Sequence, residues 1–479
     1  MSTSDNVSLK PNRKQAKKYQ HFGAAYLALR NGAILGDEAG LGKTFTAISA
    51  VQTIKATEVL IVCPLSLKYW WAQEIEASEV GTVTIQQNPA GVGYWVVEVA
   101  DPARGSKLIR RYTLAHYEQF QDGKTTKQAG KTIRQPSRLC LPYLAIKYDV
   151  VIADECQHVK NRKAQRTYWL GKVQSKYRWG LTGTPLAEYP QDLWSILHWV
   201  DPKGFTSYWR FVAQYWEQET GYSHGGATFN KVSGLKWGVD PQTGEYSTAV
   251  TLRVLQQHLA KHLLVRRRED VGIELPPITI TDLPIALSDK QRKFYDEVRT
   301  QSVIELIQEF GDPDIWDLTG DDKLIIRQAV ARFTRLNQVT SAPTVFKPGL
   351  PNAKLDWLKE YADGGTASII MTRFNHTKDA INDVLVKADR TDFVVGTYGT
   401  LAEGHNLQQY NHIIMWDAPQ SRLQYEQAYH RIRRIGQERP QQITRLIAKQ
   451  TIDERAWKHI DQKDDDVAAI LEWLRGLKK

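Results

Sequence analysis

The 479-residue chain is 42% hydrophobic and 24% charged, enough for about two to four packed domains with a wet surface, as in an ordinary soluble protein. No apolar run approaches the roughly eighteen residues of a membrane span, and the polar start "MSTSDNVSLKPNRK" lacks the apolar middle of a secretion signal, so we expect an intracellular (cytoplasmic) chain without membrane association. Cys63, Cys140 and Cys156 form no CxxC pair, which argues against a disulfide framework or zinc ribbon, while a net charge of +10 favours polyanionic partners without naming one.

In chain order, the first feature is "GDEAGLGKT" (36–44), followed directly by "KTFTAISAVQTI", whose helix formers carry apolar residues on one side. Short apolar runs then read as strands buried on both faces of a parallel sheet: "VLIVCP" from Val59, "YDVVIADE" from Tyr148 and "RWGLTGTP" from Arg178. Residues 121–140, basic and poor in apolar side chains, read as a solvated loop or as a flexible arm touching phosphates. Residues 201–350 are richer in aromatic and helical patterns, and the prolines of "ELPPITI" (274–280) mark an extended connector dividing two lobes. A second strand set follows: "ASIIMTRF" from Ala367, "FVVGTY" from Phe393, "HIIMWDAP" from His412 and "QITRLIAK" from Gln442. Ile381, Val384 and Leu385 fall at helical spacing between the first two, giving a second α/β unit.

Three constellations carry chemistry. The loop departs from GxxxxGK[ST], because Asp37 occupies the place of the first glycine, yet its working core survives. Gly40 and Gly42 let backbone N–H groups approach phosphate, Lys43 supplies positive charge and Thr44 offers a hydroxyl to Mg²⁺. "VVIADECQH" ends a strand in two carboxylates, Asp154 to orient the metal and Glu155 to activate water. In "QAYHRIRRIGQ" (427–437), Arg431 and Arg434 share a face if helical, while Arg433 points elsewhere, and paired guanidiniums suit the charge developing on a transferring phosphoryl group.

Eight blocks stand in a recognisable order: "YQHFGAAYL" at 19, "GDEAGLGKT", "LIVCPLSLKYWWAQEI" at 60, "YTLAHYEQF" at 112, "DECQHVKN" at 154, "LTGTPL" at 181, "EGHNL" at 403 and "QAYHRIRRIGQ". Through them the chain resembles the Swi/Snf-like branch of helicase superfamily two, the double-stranded DNA translocases, from about residue 9 to residue 457. The piece "LLVRRREDVGIELPP" resembles that family's link between lobes, and "FVAQYWEQETGYSHGG" resembles its fork-remodelling, strand-annealing members. In that family the loop opens with DE, so Asp37 stands at the family's own aspartate.

The resemblance implies an α/β fold of two RecA-like parallel-sheet lobes with helical insertions. Its expected divisions are 1–200 for the ATP-binding lobe, 201–275 for a helical insertion and link, 276–350 for an insertion of the second lobe, and 351–479 for that lobe with a terminal helix. It implies ATP and Mg²⁺ as ligands, with Gln20 reading adenine, Lys43 and Thr44 on phosphate and metal, Asp154 and Glu155 as metal-orienting acid and base, and Arg431 and Arg434 as arginine fingers beside Gln427. Thr182 and Thr184 match the segment coupling hydrolysis to DNA. Ser66, Lys68, His116, Tyr117, Thr372, Arg373, Thr397 and Asn406 fall in blocks that lie along the DNA backbone in relatives.

Departures from the family pattern are Ala39, Cys156, Gln157, Glu188, His430, and Leu401 with Ala402 in place of paired glycines; none removes a group that hydrolysis requires. The expected activity is an ATPase translocating on double-stranded or forked DNA without sequence preference. A strand-separating, annealing or fork-reversing helicase and a catalytically silent DNA-binding scaffold are the alternatives. The compact chain fits a bacterial or viral source.

Overall fold

The computed structural model describes residues 15–87, 94–124, 126–128, 131–183, 193–222, 228–244, 246–310, 323–401, 407–434 and 436–462. They form two compact units: the first runs to Glu217 and resumes over Gly234–Ile273, and the second comprises Gln218–Ser233 and Glu274–Asp465. No helix among the described residues is long and apolar enough to cross a membrane.

In the first unit, helix α1 (Lys18–Ala28) leads into strand β1 (Gly32–Leu35), the glycine loop and helix α2 (Lys43–Thr53). Then come β2 (Glu58–Cys63), α3 (Lys68–Ser78), β3 (Thr82–Gln87), β4 (Trp95–Asp101), β5 (Lys107–His116), β6 (Lys147–Asp154), β7 (Gln174–Leu181) and the short β8 (Leu263–Leu264). The eight-stranded sheet has the order β8-β1-β7-β6-β2-β5-β4-β3. Strands β8 to β5 in that order pair in parallel, and β4 and β3 extend the edge antiparallel. Val59–Cys63 and Val150–Ala153 are buried throughout, which is why they read as unbroken apolar runs rather than alternating ones.

The second unit holds a five-stranded, all-parallel sheet. Its strands are β9 (Ile278–Ile285), β10 (Ile369–Thr372), β11 (Val394–Thr397), β12 (His412–Met415) and β13 (Gln441–Ala448), in the order β9-β13-β12-β10-β11. Helix α4 (Asn375–Lys387) covers it with Ile381 and Leu385 buried, as their spacing predicts. The second half of "ELPPITI" is not connector: Ile278–Ile285 pairs with β13 along its whole length. Pro284 is tolerated there because the strand lies at the sheet's edge. Within 121–140, Thr126–Gln128 and Lys131–Ile133 form a small hairpin, and Trp169 Nε1 donates to Asp122 Oδ1 at its base (2.7 Å), so this stretch has a foothold on the first unit.

A buried ion pair organises the second unit's interior. Lys354 is 0% exposed and its Nζ donates to Asp453 Oδ2 (2.7 Å) and to the Trp416 carbonyl (2.7 Å), while Thr340 Oγ1 donates to Asp453 Oδ1 (2.6 Å). Four segments distant in sequence meet on these two side chains. Lys354→Ala should therefore cost about 3–5 kcal/mol, because it leaves Asp453 charged and unpaired. Denaturant unfolding of the second unit reads this directly, and a loss below about 1 kcal/mol would show the pair to be dispensable.

Candidate functional site

Parallel pairing fixes the site before any side chain is considered. Leu35 at the end of β1 lies opposite Leu181 at the end of β7, and Leu181 lies opposite Asp154 at the end of β6. The glycine loop, the carboxylate pair and the "LTG" turn therefore leave three adjacent strands at one level, at the carboxyl edge where α/β sheets bind ligands.

The loop takes its shape from Gly40 (φ 92°) and Gly42 (φ 80°), the latter capping α2. A side chain at 42 is excluded twice over: its backbone is left-handed, and a Cβ would stand 2.5 Å from Gln20 Nε2. Gln20 is buried on α1 and donates from Nε2 to the Leu41 carbonyl (3.2 Å), which Tyr19 also reaches through its hydroxyl (3.0 Å). The residue assigned to adenine is thus attached to the phosphate loop itself. Lys43 Nζ donates to the Asp37 carbonyl (2.7 Å), inside the curl of the loop, and Thr44 is half-buried in the first turn of α2. Gly183 closes the other side, since a Cβ there would lie 3.6 Å from Lys43 Nζ.

Asp154 is buried and accepts from Trp71 Nε1 (2.8 Å) and from the Glu155 backbone N–H (3.0 Å). Burial and the neighbouring Glu155 charge raise its pKa above the ordinary carboxylate range, opposed by the Trp71 hydrogen bond and the Lys43 charge. Glu155 has left-handed backbone (φ 50°), and its carboxylate accepts from Gln157 Nε2 (2.9 Å). Gln157 Oε1 in turn accepts from Thr182 Oγ1 (2.9 Å), so a hydrogen-bond chain joins the "LTG" turn to Glu155. Two crowded carboxylates, Asp154 and Glu155, are hard-oxygen donors. Such a pair gains from a divalent cation, which makes these residues fit Mg²⁺.

Of the residues expected along a DNA backbone, Ser66 and Lys68 follow β2 and His116 ends β5 at the same carboxyl edge, and the Lys68 charge acts on His116. Ser66 is exposed, and Lys68 is buried at the start of α3 with its ammonium pKa lowered to about 8 by desolvation. Desolvation and the Lys68 charge lower His116 as well. Tyr117 belongs elsewhere: it is 1% exposed, stacks on His158 and donates its hydroxyl to the Asp154 carbonyl (2.7 Å). It supports the acidic turn from within instead of meeting a ligand.

In the second unit Thr372 is likewise an interior residue, 0% exposed, donating to Asp417 Oδ2 (2.7 Å). Asp417 also accepts from Ser341 Oγ (2.8 Å) and the Arg373 backbone N–H (2.8 Å), and burial raises its pKa. Arg373 is half-buried with its guanidinium 5.3 Å from the Phe374 ring. Thr397 is level with Thr372 across β10 and β11 and half-buried. Asn406, Thr184, Glu188 and Ala402 lie outside the described residues.

The arginine pair needs a correction. Helix α5 (Arg422–Tyr429) stops before Arg431, so Arg431 and Arg434 share no helical face. Beyond the helix Ile432 is buried in the core, and Gln437 Nε2 ties the segment to the carbonyls of Gln408 (3.1 Å) and Tyr410 (2.8 Å). Each arginine folds back instead: Arg431 Nε donates to the Gln427 carbonyl (3.2 Å) and Arg434 Nε to the His430 carbonyl (3.1 Å). Lys43, Thr44, Asp154 and Glu155 are thus assembled on the first unit, and Gln427, Arg431 and Arg434 on the second. Sequence reasoning missed Trp71 and Gln157. Gln157 was visible only as a departure from pattern, and Trp71 lies 83 residues from the carboxylate it serves.

A model of the SNF2-related domain matches residues 19–343. A protein named as an ATP-dependent helicase in Mycoplasma genitalium is 25% identical over 97% of this chain, which spans 43% of that protein's length. The ATP-dependent helicase YqhH of Bacillus subtilis is 23% identical over 90% of this chain and 74% of its own. Among solved structures, the Sulfolobus solfataricus SWI2/SNF2 ATPase core in complex with dsDNA covers 98% of this chain and 97% of its own at 20% identity, with a TM-score of 0.41.

The raised Asp154 pKa has a definite sign. Below it the acidic pair carries a proton, so Mg²⁺ binding, followed by calorimetry in the presence of ADP, should strengthen as pH rises through that value. Trp71→Phe removes a hydrogen bond that favours the carboxylate, so it should move the midpoint up by about one pH unit. An unmoved midpoint would mean that the indole does not tune the pair.

Proposed function

Because the chain belongs to the SNF2-related family, we propose that it is a DNA-dependent ATPase that translocates on double-stranded DNA and remodels DNA or protein–DNA complexes. The observation carrying this reading is the convergence of Lys43, Asp154, Glu155 and Gly183 at the carboxyl edge of the first sheet. The names of its relatives, ATP-dependent helicases in two bacteria and a chromodomain-helicase-DNA-binding protein in human, agree with it.

In this reading Lys43 and the backbone N–H groups around Gly40 and Gly42 hold the phosphates of ATP, and Gln20 meets the base. Thr44 and Asp154 would hold Mg²⁺, which would supply positive charge against the phosphates. Glu155 accepts a proton from the water whose oxygen bonds to the γ-phosphorus as the bond to the β–γ bridging oxygen breaks, releasing ADP and phosphate. The chain Thr182–Gln157–Glu155 orients this base from the turn that follows β7. Arg431 and Arg434 leave their backbone carbonyls to meet the transferring phosphoryl group, an effect worth about 10³ to 10⁵ in rate. Ser66, Lys68 and His116 on one unit and Arg373 and Thr397 on the other hold the DNA backbone, and alternating grip between the two moves the chain along it. Contacts to phosphate carry no sequence preference.

ATP turnover measured at one salt concentration with no polymer, single-stranded DNA, duplex DNA, forked DNA and RNA tests this reading. Duplex DNA should stimulate most, by a factor that falls as salt rises, and Lys43→Ala should abolish turnover. Triplex displacement without strand separation is the expected companion result. A rate indifferent to every polymer would overturn the proposal, and efficient unwinding would replace the translocase with a strand-separating helicase.

A further inference from the structure

Asp37 stands where a phosphate-binding turn ordinarily opens with glycine, beneath a loop that has to receive a polyanion. It is 0% exposed, so water does not screen its charge. Its counter-ion comes from 229 residues away: Arg266 Nε donates to Oδ1 at 2.8 Å and Nη2 to Oδ2 at 2.5 Å, a bidentate fork that only arginine can make. The remaining nitrogen, Nη1, donates to the carbonyl of Tyr19, the residue before Gln20. Space for this side chain is reserved on α1, since a Cβ on Gly23 would stand 2.7 Å from Arg266 Nη2. The backbone runs alongside, with Gly36 N–H donating to the Leu264 carbonyl (2.6 Å) and Glu38 N–H to the Arg266 carbonyl (2.9 Å). Arg268 adds a second clamp, its backbone N–H and guanidinium both on the Glu38 carboxylate.

We propose that Arg266 is a positioning residue of the nucleotide site: it cancels the Asp37 charge behind the phosphate loop and locks that loop to the helix carrying Gln20. Phosphate and adenine sides are thereby held in register by one guanidinium. The role rests on the reading of the loop as an ATP site. Arg266 also lies in the last stretch of the first unit before the chain passes into the second at Ile273 and Glu274, so the segment leading to the second unit is fastened to the nucleotide loop.

The test uses the full chain with Arg266→Gln, Asp37→Asn and the double variant, with affinity for a fluorescent ADP and KM and kcat for ATP measured well below each variant's Tm. Arg266→Gln should weaken ADP binding and raise KM by about tenfold or more, with a smaller change in kcat, because a displaced loop misplaces every phosphate contact. The double variant, in which an amide pair replaces the ion pair, should recover most of that loss; a merely structural role would move Tm without this recovery in KM. Should Arg266→Gln not fold, Arg266→Lys decides: it keeps the charge but loses the fork, and KM should rise by about threefold or more. Folded variants whose KM and ADP affinity match the parent overturn the role of Arg266 alone. A parent chain that binds no ADP overturns the ATP-site reading and this role together.

Discussion

The parallel pairing of β1, β7 and β6 is the constraint on which the site depends. Leu35, Leu181 and Asp154 stand opposite one another, so three loops from distant parts of the sequence begin within one strand spacing of their neighbours. A slip of one residue in any of these strands would turn its apolar side chains to the wrong face and move its loop out of level. The burial of Ala33–Leu35, Val150–Ala153 and Trp179 opposes that slip, and core packing thereby sets the level of the three loops. The same edge continues through β2 and β5, whose ends carry Ser66, Lys68 and His116.

Concentrating charge at such an edge is costly, and the structure meets the cost locally. Asp154 is fully surrounded and remains competent through an indole donor, a backbone N–H and the Lys43 ammonium. Asp37 has its own guanidinium, and Asp417 in the second unit gathers two hydroxyls and a backbone amide. Removing a single partner from any of these clusters strands a charge.

Much of this was legible in the sequence, for identifiable reasons. Strands buried on both faces leave unbroken apolar runs, and the glycine loop and the acidic pair carry their chemistry in adjacent residues. Long-range partners leave no such trace: Trp71 with Asp154, or Arg266 with Asp37, meet only after the sheet has formed. Local pattern misled where tertiary packing prevailed. Tyr117 and Thr372 sit in blocks associated with DNA but spend their hydroxyls on Asp154 and Asp417. Arg431 and Arg434 have helical spacing without a helix, since the helix stops at Tyr429. "ELPPITI" (274–280) reads as a proline-bearing connector, and the place of its second half in an edge strand depends on β13, far along the chain.

The proposed function requires that one nucleotide be held by Lys43, Asp154 and Glu155 and that Arg431 and Arg434 reach its γ-phosphate. A crystal structure of the chain with Mg²⁺ and a non-hydrolysable ATP analogue measures this directly. The expected result is phosphates on Lys43 and the loop amides, the base against Gln20, and the guanidiniums of Arg431 and Arg434 transferred from the carbonyls of Gln427 and His430 to the γ-phosphate. A γ-phosphate enclosed by other residues while both arginines keep those carbonyl bonds would contradict it.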